Sequence, residues 1–578
     1  MVHWSSVFIA CLTVRLICAR FSIIPDCDEV FNYWEPTHFL THGFGLQTWE
    51  YSPVYAIRSW AYVGLHGLII KALSYAIPSE RPNDSVLFYG LRAVFAIFSA
   101  FTEAKLYAAL SNNISRRVGF SYLVLSLLSS GMFHASVSYL PSSFALYFVT
   151  LALANFVEDT GRSGAKSSSQ LITRGFTWLA VAGLLGWPFT LVLALPFGLR
   201  FTLKSFLGKS YSKYFVTVVK VLLSSGLILA SIVAVDSIAY KKLGVVVPFN
   251  IVSYNVLNSD DSTGPTIFGT EPWTYYVFNL AINFNGATVL ALLSLLAPLI
   301  SRRPQNSAFY LLTIISPFFL WLSIFISTPH KEERFLYPVY SSLLLNSALG
   351  LEVVITISSK ILGLVGIRWT HRGRLIGTVV VIAISIVSLS RSLALSIYYS
   401  APLDVYDHIP YEANATSITN VCVGREWYRY PSSYFLAENQ RLKFVKSGFS
   451  GLLPGEFQEQ QADTTQATKY WWDLVGTSAV PSGMNNQNLE DHSKYVDIKE
   501  CDYIVDTNSF SVDSEAGEEL YITDKENWQP IYCGKFLDSS ASSGIGRVLM
   551  LPPPLVTSTN TKLAGLYYCL MKRISSEN

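Results

Sequence analysis

The sequence predicts an all-α polytopic membrane protein of about eleven transmembrane helices, followed by a small α+β domain. Two observations predict it. First, only 14% of the 578 residues are charged while 51% are hydrophobic, and a soluble domain carries about 25% charged residues. Second, the charge is divided unevenly. Residues 1–400 hold 28 Lys and Arg against 17 Asp and Glu, while residues 401–578 hold 14 against 23. The first part is a membrane domain and the second an acidic, water-soluble one. The net charge of +2 leaves no basic excess for nucleic acid.

A helix needs about 20 apolar residues to cross a bilayer. Runs of that kind occupy 4–24, 60–78, 86–110, 118–134, 141–157, 174–206, 214–238, 276–300, 308–327, 335–361 and 375–398. The first lacks Lys or Arg ahead of it and any A-x-A site after it, so it is expected to be an uncleaved anchor. Run 60–78 contains His66, Lys71 and two glycines, and is expected to lie along the surface. Run 174–206 is cut by Gly186-Trp187-Pro188 and is expected to cross twice.

With that count, loops 111–118, 158–174, 200–213, 301–307 and 362–374 share one side and carry 14 Lys and Arg in 59 residues. The opposite loops carry 7 in 113 residues. The positive-inside rule makes the first side cytosolic. Loops 25–85, 241–275 and 328–334, and the tail 401–578, are then luminal. Arg15 and Arg20 oppose this orientation unless they are buried in the bundle or at its mouth. The sequons at Asn83 and Asn414 fall on the luminal side, and that at Asn113 on the cytosolic side.

Four of the seven cysteines, Cys422, Cys501, Cys533 and Cys569, lie in the tail. Their even number permits disulfides in an oxidising lumen, and no C-x-x-C spacing suggests zinc. The runs Asp502–Val505 and Arg547–Leu551 look like strands, and 456–494 reads as a loop.

Two clusters could carry chemistry. After the first crossing, Asp26, Asp28, Glu29 and Glu35 lie within ten residues, beside Tyr33 and Trp34. Adjacent carboxylates point about 100° apart on a helix. One of Asp28 and Glu29 therefore reads as a base and the other as its electrostatic partner, with a solvated acidic patch as the plainer alternative. The second cluster is His330-Lys331-Glu332-Glu333-Arg334 between two apolar runs. Charge at membrane depth is costly and functional. On a helical turn Lys331 and Arg334 would share a face, fit for a phosphate, with Glu332 and Glu333 orienting them. The run 47–55, with Trp49 and Glu50, and Arg58 beyond it, could stack on and bind a sugar or form an ordinary interfacial belt. A luminal carboxylate opposite luminal cations suits transfer from a lipid phosphate.

These residues resemble the eukaryotic family-22 mannosyltransferases. The resemblance rests on Asp28-Glu29 after the first crossing and on His330-Lys331-Glu332-Glu333-Arg334-Phe335 late in the chain. Residues 28–38 and 47–59 resemble, more narrowly, the α-1,2-mannosyltransferases of asparagine-linked glycan assembly, which add the seventh and ninth mannoses. The resemblance implies a GT-C fold, dolichyl-phosphate-mannose as donor, and a dolichyl-diphosphate oligosaccharide as acceptor. It implies an inverting reaction in the endoplasmic reticulum lumen. Roles follow the motif: Asp28 and Glu29 catalytic; His330, Lys331 and Arg334 on the donor phosphate; Tyr33, Trp34, Glu35, Trp49, Glu50 and Arg58 on acceptor or sugar. A monophosphate balanced by Lys331 and Arg334 needs no cofactor or metal, although the acidic pair could take a divalent ion. Two other readings compete. One is a glycosylphosphatidylinositol mannosyltransferase. The other is a transporter, against which the placement of both charged clusters at the luminal surface speaks.

Overall fold

The computed structural model describes residues 4–77, 82–159, 168–257, 263–300, 308–364, 372–411, 417–459, 475–508, 519–559 and 561–574. Among them, seven helices are long and apolar enough to cross a membrane: Trp4–Phe21, Ser85–Asn113, Pro188–Leu207, Tyr211–Ala239, Ala308–Ser327, Glu333–Leu364 and Gly373–Tyr406. An eighth candidate, Thr274–Phe284 with Gly286–Ile300, bends by 111° at Asn285, so the straight span expected over 276–300 is broken.

Other expected runs are also subdivided. Run 118–134 forms Arg116–Leu128 and Ser130–Ala135, separated by Ser129 in extended backbone. Run 60–78 is the 17-residue helix Trp60–Ala76, capped by the Ser59 hydroxyl, which accepts from the Tyr62 amide. The break at Gly186-Trp187-Pro188 is present. A π-helical turn ends at Gly186, Trp187 is extended, and a tight turn restarts at Pro188, because proline cannot continue the preceding hydrogen-bond ladder.

Contacts divide the chain into two compact units that do not follow chain order. One comprises 1–19, 93–232 and 268–392; the other comprises 20–92, 233–267 and 393–578. The first unit is helical. Helix Tyr340–Leu364 is buried on every side from Tyr340 to Leu351, and Thr150 donates to Ser341 within it. Here Arg15, fully buried, grips Glu103 through two 2.8 Å hydrogen bonds and also donates to the Ser126 carbonyl. That resolves the opposing vote of Arg15: its charge is neutralised inside the helices.

The second unit holds the first loop and the tail. In the tail, β1 (Thr419–Val423), β2 (Gln440–Phe444), β3 (Tyr503–Thr507), β4 (Trp528–Leu537) and β5 (Gly565–Arg573) form one sheet ordered β2-β1-β3-β5-β4. The first two pairings are parallel and the last two antiparallel. Disulfides Cys422–Cys501 and Cys533–Cys569 close it; the second joins residues directly opposed across β4 and β5. The expected strand at 502–505 is β3. The one at 547–551 is absent: a single turn at Ile545–Arg547 stands there. Within the loop 456–494, residues 475–494 carry only short turns.

Candidate functional site

In the second unit, the Asp26 side chain accepts from the Asp28 amide and starts a short helix at Cys27. The helix passes through a π-helical turn at Val30–Trp34 into Glu35–His42 and ends at Gly43, whose φ of 84° is left-handed. This winding separates the adjacent carboxylates. Glu29 is buried, with Oε1 accepting from the Trp34 indole at 3.1 Å. The Asp28 side chain is 34% exposed, and its carboxylate lies 3.8 Å from Arg58.

Arg58 organises this cluster. It makes a two-point contact with Glu50 at 3.0 and 2.8 Å and donates to the Tyr33 hydroxyl at 2.7 Å. Its backbone is fixed as well: the Arg58 carbonyl accepts from Tyr240 at 2.6 Å. Nearby Ala56 has φ 44°, a left-handed value unusual for alanine, and its carbonyl accepts from Asn250. Residues from both sequence motifs, 28–38 and 47–59, thus meet at one guanidinium. Because Glu50 neutralises it, Arg58 presents an oriented donor beside Asp28 without an uncompensated charge.

Three of the residues expected on the acceptor or sugar are buried against other protein groups. Trp34 is fully buried between Phe88 and Tyr434. Trp49 is nearly buried, with Tyr55 and Tyr254 at its ring. Glu35 is fully buried and accepts from the Ser433 amide and hydroxyl, the Ser432 hydroxyl and the Leu46 amide. It fastens the tail turn at 432–433, and burial raises its pKa from the usual glutamate value against those hydrogen bonds. Of the expected sugar-binding group, Tyr33, Glu50 and Arg58 stay with Asp28.

Asp26, Cys27 and Asp28 each place one ligand atom within 4.8 Å of the others, the one such grouping among the described residues. Asn83 is partly buried; its amide donates to the Phe435 carbonyl and its oxygen accepts from Ser85. Asn414 lies outside the described residues.

The second cluster belongs to the first unit. Here the expected helical turn is absent: Glu332 is extended, and a tight helix begins only at Glu333. Lys331 and Arg334 therefore do not share a helical face. Lys331 is buried, and its ammonium donates to the carbonyls of Glu271, at 2.8 Å, and Thr328. It closes the loop. Arg334 pairs with Glu332 and lies over the Phe335 ring. His330 contacts Glu332 at 2.9 Å and donates to the Gly269 carbonyl at 2.7 Å. Burial opposes its protonation, but these contacts raise its pKa above the usual imidazole value. Glu333 turns the other way, onto His134.

Sequence reasoning missed two participants. His134 holds Glu333, 199 residues away, and no local pattern announces it. Trp187 packs on Trp321, Phe325 and Phe335; the helix break that frees it was visible, but its partner was not.

A family model, the Alg9-like mannosyltransferase family, matches residues 6–437. Among curated relatives, alpha-1,2-mannosyltransferase alg9 of Schizosaccharomyces pombe is 38% identical, covering 95% of this chain and 92% of the relative. Alpha-1,2-mannosyltransferase ALG9 of Homo sapiens is 37% identical over 95% of this chain and 86% of the relative. Among solved structures, ArnT from Cupriavidus metallidurans bound to undecaprenyl phosphate aligns with a TM-score of 0.47 at 12% identity, covering 76% of this chain and 86% of that one.

Proposed function

The chain is a multi-pass membrane mannosyltransferase of the Alg9-like family, and from that premise we propose that it transfers mannose from dolichyl-phosphate-mannose to a lipid-linked oligosaccharide. The bond made is an α-1,2 linkage, and the products are the seventh and ninth mannoses of the asparagine-linked glycan precursor. The relatives are alpha-1,2-mannosyltransferases, which supports the linkage. Residues 28–38 and 47–59 support the choice of acceptor over a glycosylphosphatidylinositol. The two tail disulfides support an oxidising compartment, and so an active site and C-terminus in the endoplasmic reticulum lumen, on the GT-C scaffold implied by the family resemblance.

The observation that carries the mechanism is the separation of the adjacent acids. Asp28 is accessible and beside Arg58, while Glu29 is buried against Trp34. Asp28 takes the proton from the attacking hydroxyl. The hydroxyl oxygen bonds to the mannose anomeric carbon as the bond to phosphate breaks, and dolichyl phosphate leaves with the electron pair. One displacement converts the β-linked donor into an α-linked product. Arg58, held by Glu50, orients Asp28. Arg334 and His330 bind the donor phosphate, whose charge grows as the bond breaks; Lys331 keeps their loop closed. This reading needs no metal, and Asp26-Cys27-Asp28 is where a divalent ion would otherwise bind.

The test is transfer by the purified chain from dolichyl-phosphate-mannose to defined lipid-linked oligosaccharides, with and without EDTA, followed by α-1,2-mannosidase digestion. Mannosidase-sensitive product, unaffected by EDTA, is expected. Arg334→Ala should weaken donor binding and turnover together, and Arg334→Lys should restore part, because a point charge lacks the bidentate fork. Transfer only to glycosylphosphatidylinositol precursors, or substrate uptake without transfer, would overturn the assignment.

A further inference from the structure

Away from both clusters, the helical unit carries an open cavity of about 810 Å³ lined by Ser111, Ile114, Ser115, Glu352 and the exposed Arg116, Arg117 and Arg374. Three guanidiniums face one carboxylate, so the lining is cationic by two charges. Arg117 is tied to Glu352 at 3.0 Å. Arg116 and Arg374 pair with no carboxylate among the described residues. Ser115 caps helix Arg116–Leu128, its hydroxyl accepting from the Val118 amide, so the positive end of that helix dipole opens at the cavity. The Ser111 hydroxyl is buried with no hydrogen-bond partner among the described residues.

The cavity lies where candidate spans end. Ser111 is in the last turn of Ser85–Asn113, and Arg374 is in the first turn of Gly373–Tyr406. Loops 111–118 and 362–374 were grouped on one side by their charge, and the cavity brings residues of both together. Clustered cations at the ends of candidate spans, with the fork geometry of arginine and a hydroxyl in need of an acceptor, match a phosphate oxygen array.

We propose that this cavity binds a phosphate monoester, presented by a membrane lipid headgroup or by a small soluble ester. Arg116 and Arg374 hold the phosphate oxygens, Ser111 donates its hydroxyl, and Glu352 keeps Arg117 oriented.

The experiment uses the full chain in phosphatidylcholine nanodiscs. One arm adds phosphatidylinositol 4-phosphate to the disc; the other titrates soluble inositol 1,4-bisphosphate into lipid that lacks it. Wild type should bind at least one probe, and binding should weaken with salt. Arg116→Gln and Arg374→Gln should each raise Kd roughly fivefold, and the double variant roughly 25-fold. Arg374→Lys, which keeps the charge, should lose less than Arg374→Gln and serves if the glutamine variant misfolds. Binding in the lipid arm alone identifies a headgroup; comparable binding of the soluble ester identifies a free phosphate ester. No binding of either probe by wild type, or equal Kd in wild type and the double variant, overturns the proposal.

Discussion

Two bidentate Arg–Glu pairs, Arg15–Glu103 and Arg58–Glu50, look alike on paper and differ in surroundings. Arg15 and Glu103 are 0% and 1% exposed, and Ser99 and Ser126 donate further hydrogen bonds to the carboxylate. Arg58 and Glu50 are 20% and 14% exposed, with a second carboxylate, Asp28, and the Tyr33 hydroxyl at the same guanidinium. The first pair is closed: it neutralises a charge among apolar helices. The second is open: its remaining donors face a carboxylate that solvent or substrate can reach. An ion pair therefore marks a site by what it leaves accessible and by the third group it holds, more than by its own geometry.

The largest effect should come from that third group. Asp28→Asn keeps shape and removes basicity, so kcat should fall by about 10²–10⁴ with little change in donor affinity. Glu29→Gln should instead lower thermal stability and leave turnover per folded molecule near normal. Kinetics of both variants after a melting curve check this, and a swap of the two outcomes would move the base to Glu29.

The closed pair should respond in stability. Arg15→Met strands the Glu103 carboxylate, and breaking a buried pair from one side costs about 3–5 kcal/mol. The melting temperature should drop, while donor affinity of the surviving folded enzyme should not. Arg15→Met combined with Glu103→Leu should recover most of the loss, since removing both charges removes the stranded one. No recovery would mean that the pair does more than cancel itself.

Much of this organisation was legible in sequence, and the failures have a common cause. Helix Ala308–Ser327 falls where hydropathy places it, because an apolar run alone decides a span. Residues 28–38 and 47–59 are legible as two motifs, but their meeting in the Arg58 web is seen only in the structure. The burial of Trp34 and Glu35 is not legible in sequence because their partners are remote: Tyr434, Ser432 and Ser433 lie about 400 residues on. The burial of Arg15 is an expectation of the sequence, but its partner is not, because Glu103 is 88 residues away. The Lys331–Arg334 face failed because spacing cannot reveal that Glu332 is extended or that carbonyls at 271 and 328 claim the ammonium.

The open pair offers a smaller, sharper test. Arg58→Lys keeps the charge near Asp28 but loses the two-point grip on Glu50 and the bond to Tyr33. Turnover should fall roughly 10- to 100-fold, because a reacting group misplaced by about 1 Å can cost about 10²-fold. A lysine variant with wild-type turnover would reduce Arg58 to a structural clip like Arg15.

The smallest effect concerns a third arginine–carboxylate pair, in the tail. Asp506 lies at 2.9 Å from Arg425, yet burial dominates and its pKa is pushed up to about 6; Arg425 and the Thr507 amide only moderate the rise, and Glu426 adds to it. The folded-state value exceeds the unfolded value of about 3.9. Asp506 therefore contributes stability that is fully present below about pH 4 and is lost as pH rises through about 6. Buried His38 has the opposite sign: burial lowers its pKa well below the usual value, so its contribution is lost as pH falls below about 6.5. The two offset each other in a wild-type melting curve, and a comparison with Asp506→Asn separates them. The variant cannot gain the proton, so between pH 7 and pH 5 its melting temperature should fall relative to wild type by a few degrees, on the order of ~1 kcal/mol. Parallel curves for the two proteins would mean that Arg425 keeps Asp506 ionised throughout, making this pair closed in the same sense as Arg15 and Glu103.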